Sequence, residues 1–120
     1  MTRWDGCTPL GLLPELICKR HAQRTALVFE NQRTTFAQLA ADVDRTAKAL
    51  LSLGVRAGDK CLVWLMNSPE WIHLMFAIAK IGAVQVPINT RLRAGDFAYL
   101  LGQSNAAFVF THDQSGPIDD

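Results

Sequence analysis

The spacing of apolar positions at the start of the chain predicts a short helix followed by a hairpin. Thr8 and Pro9 precede apolar residues at helical spacing, which predicts an amphipathic helix with Thr8 as its N-cap and Pro9 as its first residue. These apolar residues are Leu10, Leu13, Leu16 and Ile17. A short strand over residues 26–29 and a turn at Asn31-Gln32 then predict a small β-hairpin that returns through residues 33–35.

The strongest helical pattern begins at Thr35. Thr35 and Gln38 have the spacing of a capping box, in which each side chain bonds the backbone N–H of the other residue. Gly54 then provides a left-handed stop. The apolar stripe between them has steps of three and four, at Phe36, Leu39, Val43, Ala47 and Leu50. We interpret the polar residues of this helix as solvated, namely Asp42, Asp44, Arg45 and Lys48.

From residue 58 onward, longer apolar runs alternate with helical signals. Residues 61–66 are continuously apolar, as in a strand that is covered on both faces. Ser68, Pro69 and Glu70 form a helix start, and the helix that follows to Ile81 is apolar almost all round, so we expect it to be largely buried. After a stop at Gly82, the pattern predicts a strand over 83–88, a helix over about 94–101 and a strand over 107–110.

This order of elements predicts an α/β fold: an open parallel sheet with flanking helices (βαβαβ), preceded by a helix and a small β-hairpin. A parallel sheet needs cover on both faces, and two helices supply only part of it. We therefore expect residues 1–112 to be the incomplete N-terminal portion of a larger domain, with 113–120 as a flexible tail or truncated linker.

Composition narrows the class of protein. The 120 residues are 49% hydrophobic with a net charge of +1, and such a balance argues against nucleic acid as a partner. No apolar run approaches the roughly 20 residues of a membrane helix, and the first residues lack the apolar core of a signal peptide. The three cysteines cannot all pair and have no metal-binding spacing, which fits a reducing compartment. We expect a cytoplasmic globular domain.

Motifs that carry chemistry are few. Residues 54–60 miss the spacing of a phosphate-binding Walker loop, and the stretch after Gly102 lacks the second glycine of a nucleophile elbow. We interpret His73 as a packed histidine with a backbone partner. The loop Asn89-Thr90-Arg91 follows the carboxyl end of a strand, where open parallel sheets place ligands. Arg91 could meet an anion there, or could be a solvated arginine in a capped turn.

An ordered series of sequence blocks resembles the N-terminal part of AMP-forming acyl-CoA synthetases, over about residues 8–112. The blocks are Ala26-Leu27-Val28, Thr35-Phe36-Ala37-Gln38-Leu39, Ala47-Lys48-Ala49-Leu50, residues 53–60, Asn67-Ser68-Pro69-Glu70 and residues 77–89. The ending Val86-Pro87-Ile88-Asn89 is more similar to fatty-acyl and aryl-CoA ligases than to amino-acid-activating domains, which typically carry Asp at the Asn89 position. Carnitine-type CoA ligases are similar as well, so the acyl group stays open.

The resemblance implies an acid–thiol ligase that joins a carboxylic acid to ATP, with Mg²⁺ on the phosphates, and then passes the acyl group to coenzyme A. It also implies that Asn89, Thr90 and Arg91 lie beside the nucleotide end of coenzyme A, although Thr90 and Arg91 replace glycines of acetyl-CoA synthetases. The phosphate loop, the Tyr-Gly-x-Thr-Glu motif, the ribose aspartate and the C-terminal-domain lysine of the family are absent from these residues. We therefore expect no catalytic residues here, no bound cofactor and no adenylation by this chain alone; its expected partner is the remainder of the adenylation domain.

Two other hypotheses remain. The chain could be a truncated, non-catalytic paralogue that binds another protein through an exposed apolar face. It could also be a free-standing nucleotide-binding α/β domain, a reading that the missing glycine motifs count against.

Overall fold

A computed structural model describes residues 10–65, 68–88 and 94–111. A 3₁₀ turn at Leu10–Leu12 leads into five strands and four helices within these ranges. In chain order they are α1 (Leu13–His21), β1 (Thr25–Phe29), β2 (Gln32–Thr35), α2 (Phe36–Leu53), β3 (Lys60–Trp64), α3 (Pro69–Lys80), β4 (Val84–Pro87), α4 (Ala94–Ser104) and β5 (Phe108–Thr111). This order confirms the predicted α/β class. None of the helices in these ranges is both long and apolar enough to cross a bilayer.

The strands form two separate sheets. Strands β1 and β2 make an antiparallel hairpin, whereas β3 lies between β4 and β5 and pairs with both in parallel. Since β4 and β5 flank β3 on opposite sides, right-handed crossovers bring α3 and α4 to opposite faces of the sheet. The three-stranded sheet is therefore the predicted parallel βαβαβ unit.

Helix α2 forms as its sequence predicts. The Thr35 N–H donates to Gln38 Oε1 at 2.9 Å, and the Gln38 N–H donates to Thr35 Oγ1 at 3.2 Å, which completes the capping box. A box of this kind contributes about 1 kcal/mol. Gly54 ends the helix with a φ of 99°, a left-handed conformation that glycine adopts without steric cost. The stripe predicted from the sequence lies in the core, with Leu39, Val43, Ala47 and Leu50 all buried.

The first helix begins later than its sequence pattern predicts. The α-helix starts at Leu13, after the 3₁₀ turn, and Leu12 at its N-cap provides no side-chain hydrogen bond. Pro14 explains the difference, because a helix that began at Pro9 would place Pro14 in its interior, where a hydrogen bond would be lost. A start at Leu13 puts Pro14 in the first turn of the helix. Backbone N–H groups in the first turn have no acceptor within the helix, so the missing N–H of proline costs no hydrogen bond there. Thr8 and Pro9 lie outside the described residues.

Smaller differences concern turns and element ends. The hairpin turns at Glu30 and Asn31, one residue earlier than predicted, and both have the positive φ values (49° and 68°) of a two-residue type I′ loop. Strand β3 ends at Trp64, β4 is shorter than predicted at both ends, β5 is shifted by one residue, and α4 extends to Ser104.

The core lies between one face of the sheet and the helices α2 and α3. On that face, Cys61 and Val63 of β3 pack with the α2 stripe and with Ala77 and Ile78 of α3. Helix α3 is less buried than predicted, since only Ala77 and Ile78 are fully buried in it. On the opposite face of the sheet, Leu62 is fully buried but its neighbours are not. Val84 is 45% exposed and Val109 is 40% exposed, so this face is only partly covered.

Candidate functional site

The carboxyl ends of the three parallel strands meet at one edge of the sheet. Strand β3 ends at Trp64, β4 at Pro87 and β5 at Thr111. The Ile88 N–H donates to the Val63 carbonyl at 3.0 Å, and Ile88 is buried, so the chain leaves β4 along the end of β3. Open parallel sheets bind ligands at this edge. The predicted site residues Asn89, Thr90 and Arg91 follow directly, but they lie outside the described residues.

The start of α3 lies at the same edge, because this helix follows β3. Ser68 caps it: the Trp71 N–H donates to Ser68 Oγ at 3.4 Å. Pro69 occupies the first turn and Glu70 places a carboxylate near the positive end of the helix dipole. The predicted cap is confirmed, and it fixes where the helix starts relative to the strand ends.

A cavity of about 300 Å³ separates the hairpin from the start of α3. Apolar side chains form most of its described lining, and polar groups come from Gln32, Thr34, Ser68 and the indole N–H of Trp71; none of the described lining residues is charged. The described lining residues are Leu27, Val28, Phe29, Gln32, Thr34, Ser68, Pro69, Trp71 and Ile72. The hairpin was predicted, but its role as one wall of a cavity was not, since that contact joins segments about 40 residues apart. The cavity suits apolar groups rather than phosphates.

The two carboxylates of α2 are not simply solvated, contrary to the sequence-based interpretation, whereas Arg45 and Lys48 are exposed as that interpretation expects. Lys80 of α3 hydrogen-bonds Glu15 of α1, and its Nζ lies 3.4 Å from Asp44 Oδ1 of α2. Lys48 Nζ lies 3.0 Å from the other oxygen of Asp44. The hydrogen bonds from Lys48 and then from Lys80 lower the pKa of Asp44. The hydrogen bond with Glu15 raises the pKa of Lys80 despite the opposing effect of desolvation. The charged Lys80 side chain on α3 thus links this helix to α1 through Glu15 and to α2 through Asp44.

His73 also has a side-chain partner rather than the backbone partner that was predicted. Its Nε2 lies 3.5 Å from Asp42 Oδ2, across the contact between α3 and α2, and the His73 side chain is only 19% exposed. Arg45 binds the other carboxylate oxygen of Asp42. The two carboxylates of α2 therefore fasten neighbouring helices together. Local spacing carries no signal of the contact between Asp42 and His73, because these two residues belong to different helices.

Two further polar groups in the sheet are the Cys61 thiol and the Gln85 amide, to which we assign no catalytic or binding role. Burial, together with the charge of Asp59, raises the pKa of the Cys61 thiol, so it stays neutral in the core. Gln85 of β4 has a buried Nε2 with no hydrogen-bond partner in the part of the chain that the structure describes. Its position between two valines in a strand offered no sequence signal of a buried amide.

The described side chains form no metal-binding cluster. No group of three His, Cys, Asp or Glu residues within the described ranges could hold a metal ion. The carboxylates of Glu15, Asp42 and Asp44 bind basic side chains of the protein instead. What the segment provides is a sheet edge, a capped helix and an apolar cavity.

The parallel sheet with helices between its strands places this segment in the class of open α/β domains. Such domains bind ligands beyond the carboxyl ends of their strands. The profile of a family described as AMP-binding enzyme matches residues 15–120, and the chain belongs to this family. It is 40% identical over 106 residues to the putative acyl-CoA synthetase YngI of Bacillus subtilis, covering 87% of this chain and 19% of the relative. It is 37% identical over 116 residues to triostin synthetase I of Streptomyces triostinicus, covering 97% of this chain and 22% of that protein.

Solved structures agree with this assignment. A Mycobacterium tuberculosis fatty acyl CoA synthetase superposes with a TM-score of 0.86 at 33% identity, over 92% of this chain and 22% of its own. The N-terminal subdomain of Klebsiella oxytoca NpsA, in complex with anthranilyl-AMSN, gives 0.84 at 28% identity, over 88% of this chain and 28% of its own. The chain thus corresponds to an N-terminal segment of AMP-forming ligases and spans about a fifth of the length of the curated relatives it matches.

Proposed function

We propose that this segment serves as the first part of an ATP-dependent acyl-CoA ligase. In that reaction a carboxylate displaces pyrophosphate from ATP to form an acyl-adenylate, and the thiol of coenzyme A then displaces AMP. The larger protein would bind ATP, Mg²⁺, coenzyme A and the carboxylic acid, and we place that protein in the cytoplasm. The segment itself supplies scaffold and, by this proposal, performs no adenylation alone.

The observation that carries the proposal is the structural match to the Mycobacterium tuberculosis fatty acyl CoA synthetase, which extends over 92% of this chain. The described side chains also form no group of His, Cys, Asp or Glu residues that could hold Mg²⁺, which is consistent with a scaffolding role for this segment. The relatives of this chain include both a putative acyl-CoA synthetase and crotonobetaine/carnitine–CoA ligases, so the carboxylic acid substrate is left open.

A chimera tests the scaffold role. Residues 15–120 would replace the matching stretch of the Mycobacterium tuberculosis synthetase, and AMP release would be measured with a fatty acid, ATP, Mg²⁺ and coenzyme A. We expect the chimera to retain fatty-acid-dependent AMP release within about tenfold of the parent enzyme, because the segment preserves the fold but not every side chain at its boundary.

Two controls make the result decisive. The synthetase without the stretch, and the 120-residue chain by itself, should both be inactive. A folded chimera without activity would contradict the proposal, and so would thioester formation by the chain alone.

The loop after β4 is the proposed contact to coenzyme A. We propose that Asn89, Thr90 and Arg91 lie beside the nucleotide end of coenzyme A, because they follow the carboxyl end of a parallel strand and Arg91 can pair with a phosphate. In the chimera, Arg91→Ala should raise the Kd for coenzyme A about tenfold and leave the adenylation half-reaction unchanged. Arg56→Ala, at an exposed position between α2 and β3, is the matched control. An unchanged affinity in Arg91→Ala would discard the contact.

A second candidate function is a non-catalytic interaction module. It is favoured by the exposure of large apolar side chains on both the hairpin and α4, including Val28 at 64% and Tyr99 at 68%. Under this alternative the chain would bind a folded acyl-CoA ligase added in trans, and the binding would be lost in Val28→Glu.

A further inference from the structure

Two cavities adjoin strand β2 of the hairpin. The apolar cavity of about 300 Å³ lies between the hairpin and the start of α3. A second cavity of about 360 Å³ lies between β2 and α2, and its lining is mostly polar. Gln32 and Thr34 of β2 line both cavities. The two cavities are therefore adjacent.

The polar cavity has an excess of positive charge. Its described lining includes Arg33 of β2 together with Arg45 and Asp42 of α2. Arg45 binds Asp42, whereas Arg33 is exposed and has no ion pair among the residues that the structure describes. Two arginines and one aspartate leave a single positive charge, on Arg33. The planar guanidinium group suits one carboxylate-like or sulfate-like group.

The apolar cavity has room for a chain of moderate length. A cavity of roughly 150 Å³ in another protein holds benzene, so one of about 300 Å³ holds about ten carbon atoms. Phe29, Trp71 and Ile72 offer apolar contacts to such a group. Cavities that bind small molecules share this composition, with mostly apolar walls and a few polar groups that fix the orientation of the ligand.

The polar cavity faces water. Arg33, Gln38 and Arg45 are all exposed, and charged side chains are costly to bury without a partner. The apolar face of the sheet at Val84 and Val109 is different, because it suits further packing. The polar cavity therefore leaves a path from water to its apolar neighbour.

We propose that the two cavities form one binding site for an amphipathic monoanion. Its apolar group, of about ten carbon atoms, lies between the hairpin and α3. Its anionic head lies between β2 and α2, where it pairs with Arg33. Charge complementarity identifies the head, because Arg33 is the cation of the described lining that lacks a carboxylate partner. The inference goes beyond the proposed function and does not depend on it, since this binding needs neither ATP nor coenzyme A.

Decyl sulfate is a suitable probe, because it has a decyl chain and a single negative charge and lacks the carboxylate that adenylation requires. It would be titrated, below its critical micelle concentration, into the chimera described above. The NMR signal of the Trp71 indole N–H reports on the apolar cavity, and Trp71→Phe identifies that signal. We expect a saturable shift, with a Kd about tenfold lower than for decanol, which has no charge, or for methyl sulfate, which has no chain.

A substitution at the exposed Arg33 tests the head of the site without disturbing the core. Arg33→Gln should raise the Kd for decyl sulfate about tenfold, because it removes a charge-assisted hydrogen bond, and should leave the Kd for decanol unchanged. Arg56→Gln, exposed between α2 and β3, is the matched control and should change neither Kd.

Other outcomes overturn the inference. If the chimera shows no saturation, the same titration of the 120-residue chain separates the causes: binding there would mean that further chain fills the cavity in the enzyme, and no binding would mean that there is no site. Equal affinities for decyl sulfate and decanol, or an unchanged affinity in Arg33→Gln, would mean that the site does not recognise an anion. An inactive chimera that binds decyl sulfate would refute the proposed ligase role while leaving this site intact.

Discussion

Gly11 shows how one residue can determine the approach of two elements. It is buried in the 3₁₀ turn that precedes α1, against the last turn of α3. A Cβ added at Gly11 would lie 2.2 Å from the backbone nitrogen of Lys80 and 2.8 Å from the carbonyl carbon of Ala79. Because both atoms belong to a helix backbone, neither can move as a side chain would. The requirement for glycine here comes from close approach and not from φ.

Gly11→Ala should therefore lower the free energy of unfolding by about 3 kcal/mol, the upper range for overpacking a rigid contact. Urea denaturation followed by circular dichroism would measure it. Gly102→Ala is the matched control, since nothing lies within 4 Å of a Cβ at this exposed position of α4. That variant should be neutral or gain up to about 1 kcal/mol from helix propensity. Equal stability of the two variants would show that the 3₁₀ turn does not pack on α3.

Gln85 permits the opposite kind of prediction, a stabilising change. Its buried Nε2 has no partner in the described part of the chain, and an unsatisfied buried donor costs about 1–3 kcal/mol. Gln85→Met keeps the side-chain length and removes the donor, so the chain should gain about 1 kcal/mol in thermal or urea unfolding. Gln103→Met, at an exposed position of α4, should gain nothing. A loss of stability in Gln85→Met would mean that the amide has an acceptor.

At the scale of elements, what could be predicted depends on how far apart the determinants lie. Helix α2 carries its own start, stripe and stop within 20 residues, and all three were predicted correctly from local spacing. The predicted start of α1 was wrong, because a helix that began at Pro9 would hold Pro14 in its interior, where proline is unfavourable. The contact of Asp42 with His73 and that of Asp44 with Lys80 could not be predicted from local spacing, since packing between helices brings these residues together.

For the candidate site, too, what could be predicted depends on how far apart its determinants lie in the sequence. Its location at the carboxyl edge follows from the parallel pairing of the strands, which the alternation of elements predicts. The apolar cavity does not, because its walls come from the hairpin and from α3. The role of Asn89, Thr90 and Arg91 stays a prediction.

The link between α1, α2 and α3 through Lys80 predicts a pH dependence of stability. The pKa of Asp44 lies below its ordinary value of 3.8 in the folded protein, so its contribution is present above pH 3.8 and is lost as the pH falls through the lowered value. The pKa of Lys80 lies above 10.5, so its contribution is full below pH 10.5 and is lost as the pH rises through the raised value. Lys80→Met should cost about 1 kcal/mol at pH 7.

Unfolding in urea at several pH values would check this. The difference between the wild type and Lys80→Met should narrow as the pH falls below 3.8. Lys48→Met should cost less than Lys80→Met, because Lys48 is 76% exposed and binds Asp44 within a single helix. A difference that stays constant from pH 7 to pH 2 would show that Lys80 contributes packing alone.

At the scale of the whole molecule, apolar surface is exposed on several elements at once. Val28 lies on the hairpin, Val84 and Val109 lie on one face of the sheet, and Tyr99 lies on α4; all are at least 40% exposed. Single exposed apolar residues are ordinary, but a sheet face and a helix that are both uncovered indicate a surface made for further packing. In the isolated segment this apolar surface stays in contact with water, which is energetically unfavourable.

We therefore expect the 120-residue chain to self-associate as its concentration rises, whereas the same residues within the chimera are covered and stay monomeric. Size-exclusion chromatography with light scattering, together with calorimetry, would separate these states. Val84→Lys with Val109→Lys should reduce self-association of the isolated chain, because charges oppose contact between uncovered sheets. In the chimera the same pair should lower the Tm, since both valines would then be buried. A chain that is monomeric with a sharp transition, and a chimera that tolerates both lysines, would together show that this face needs no cover.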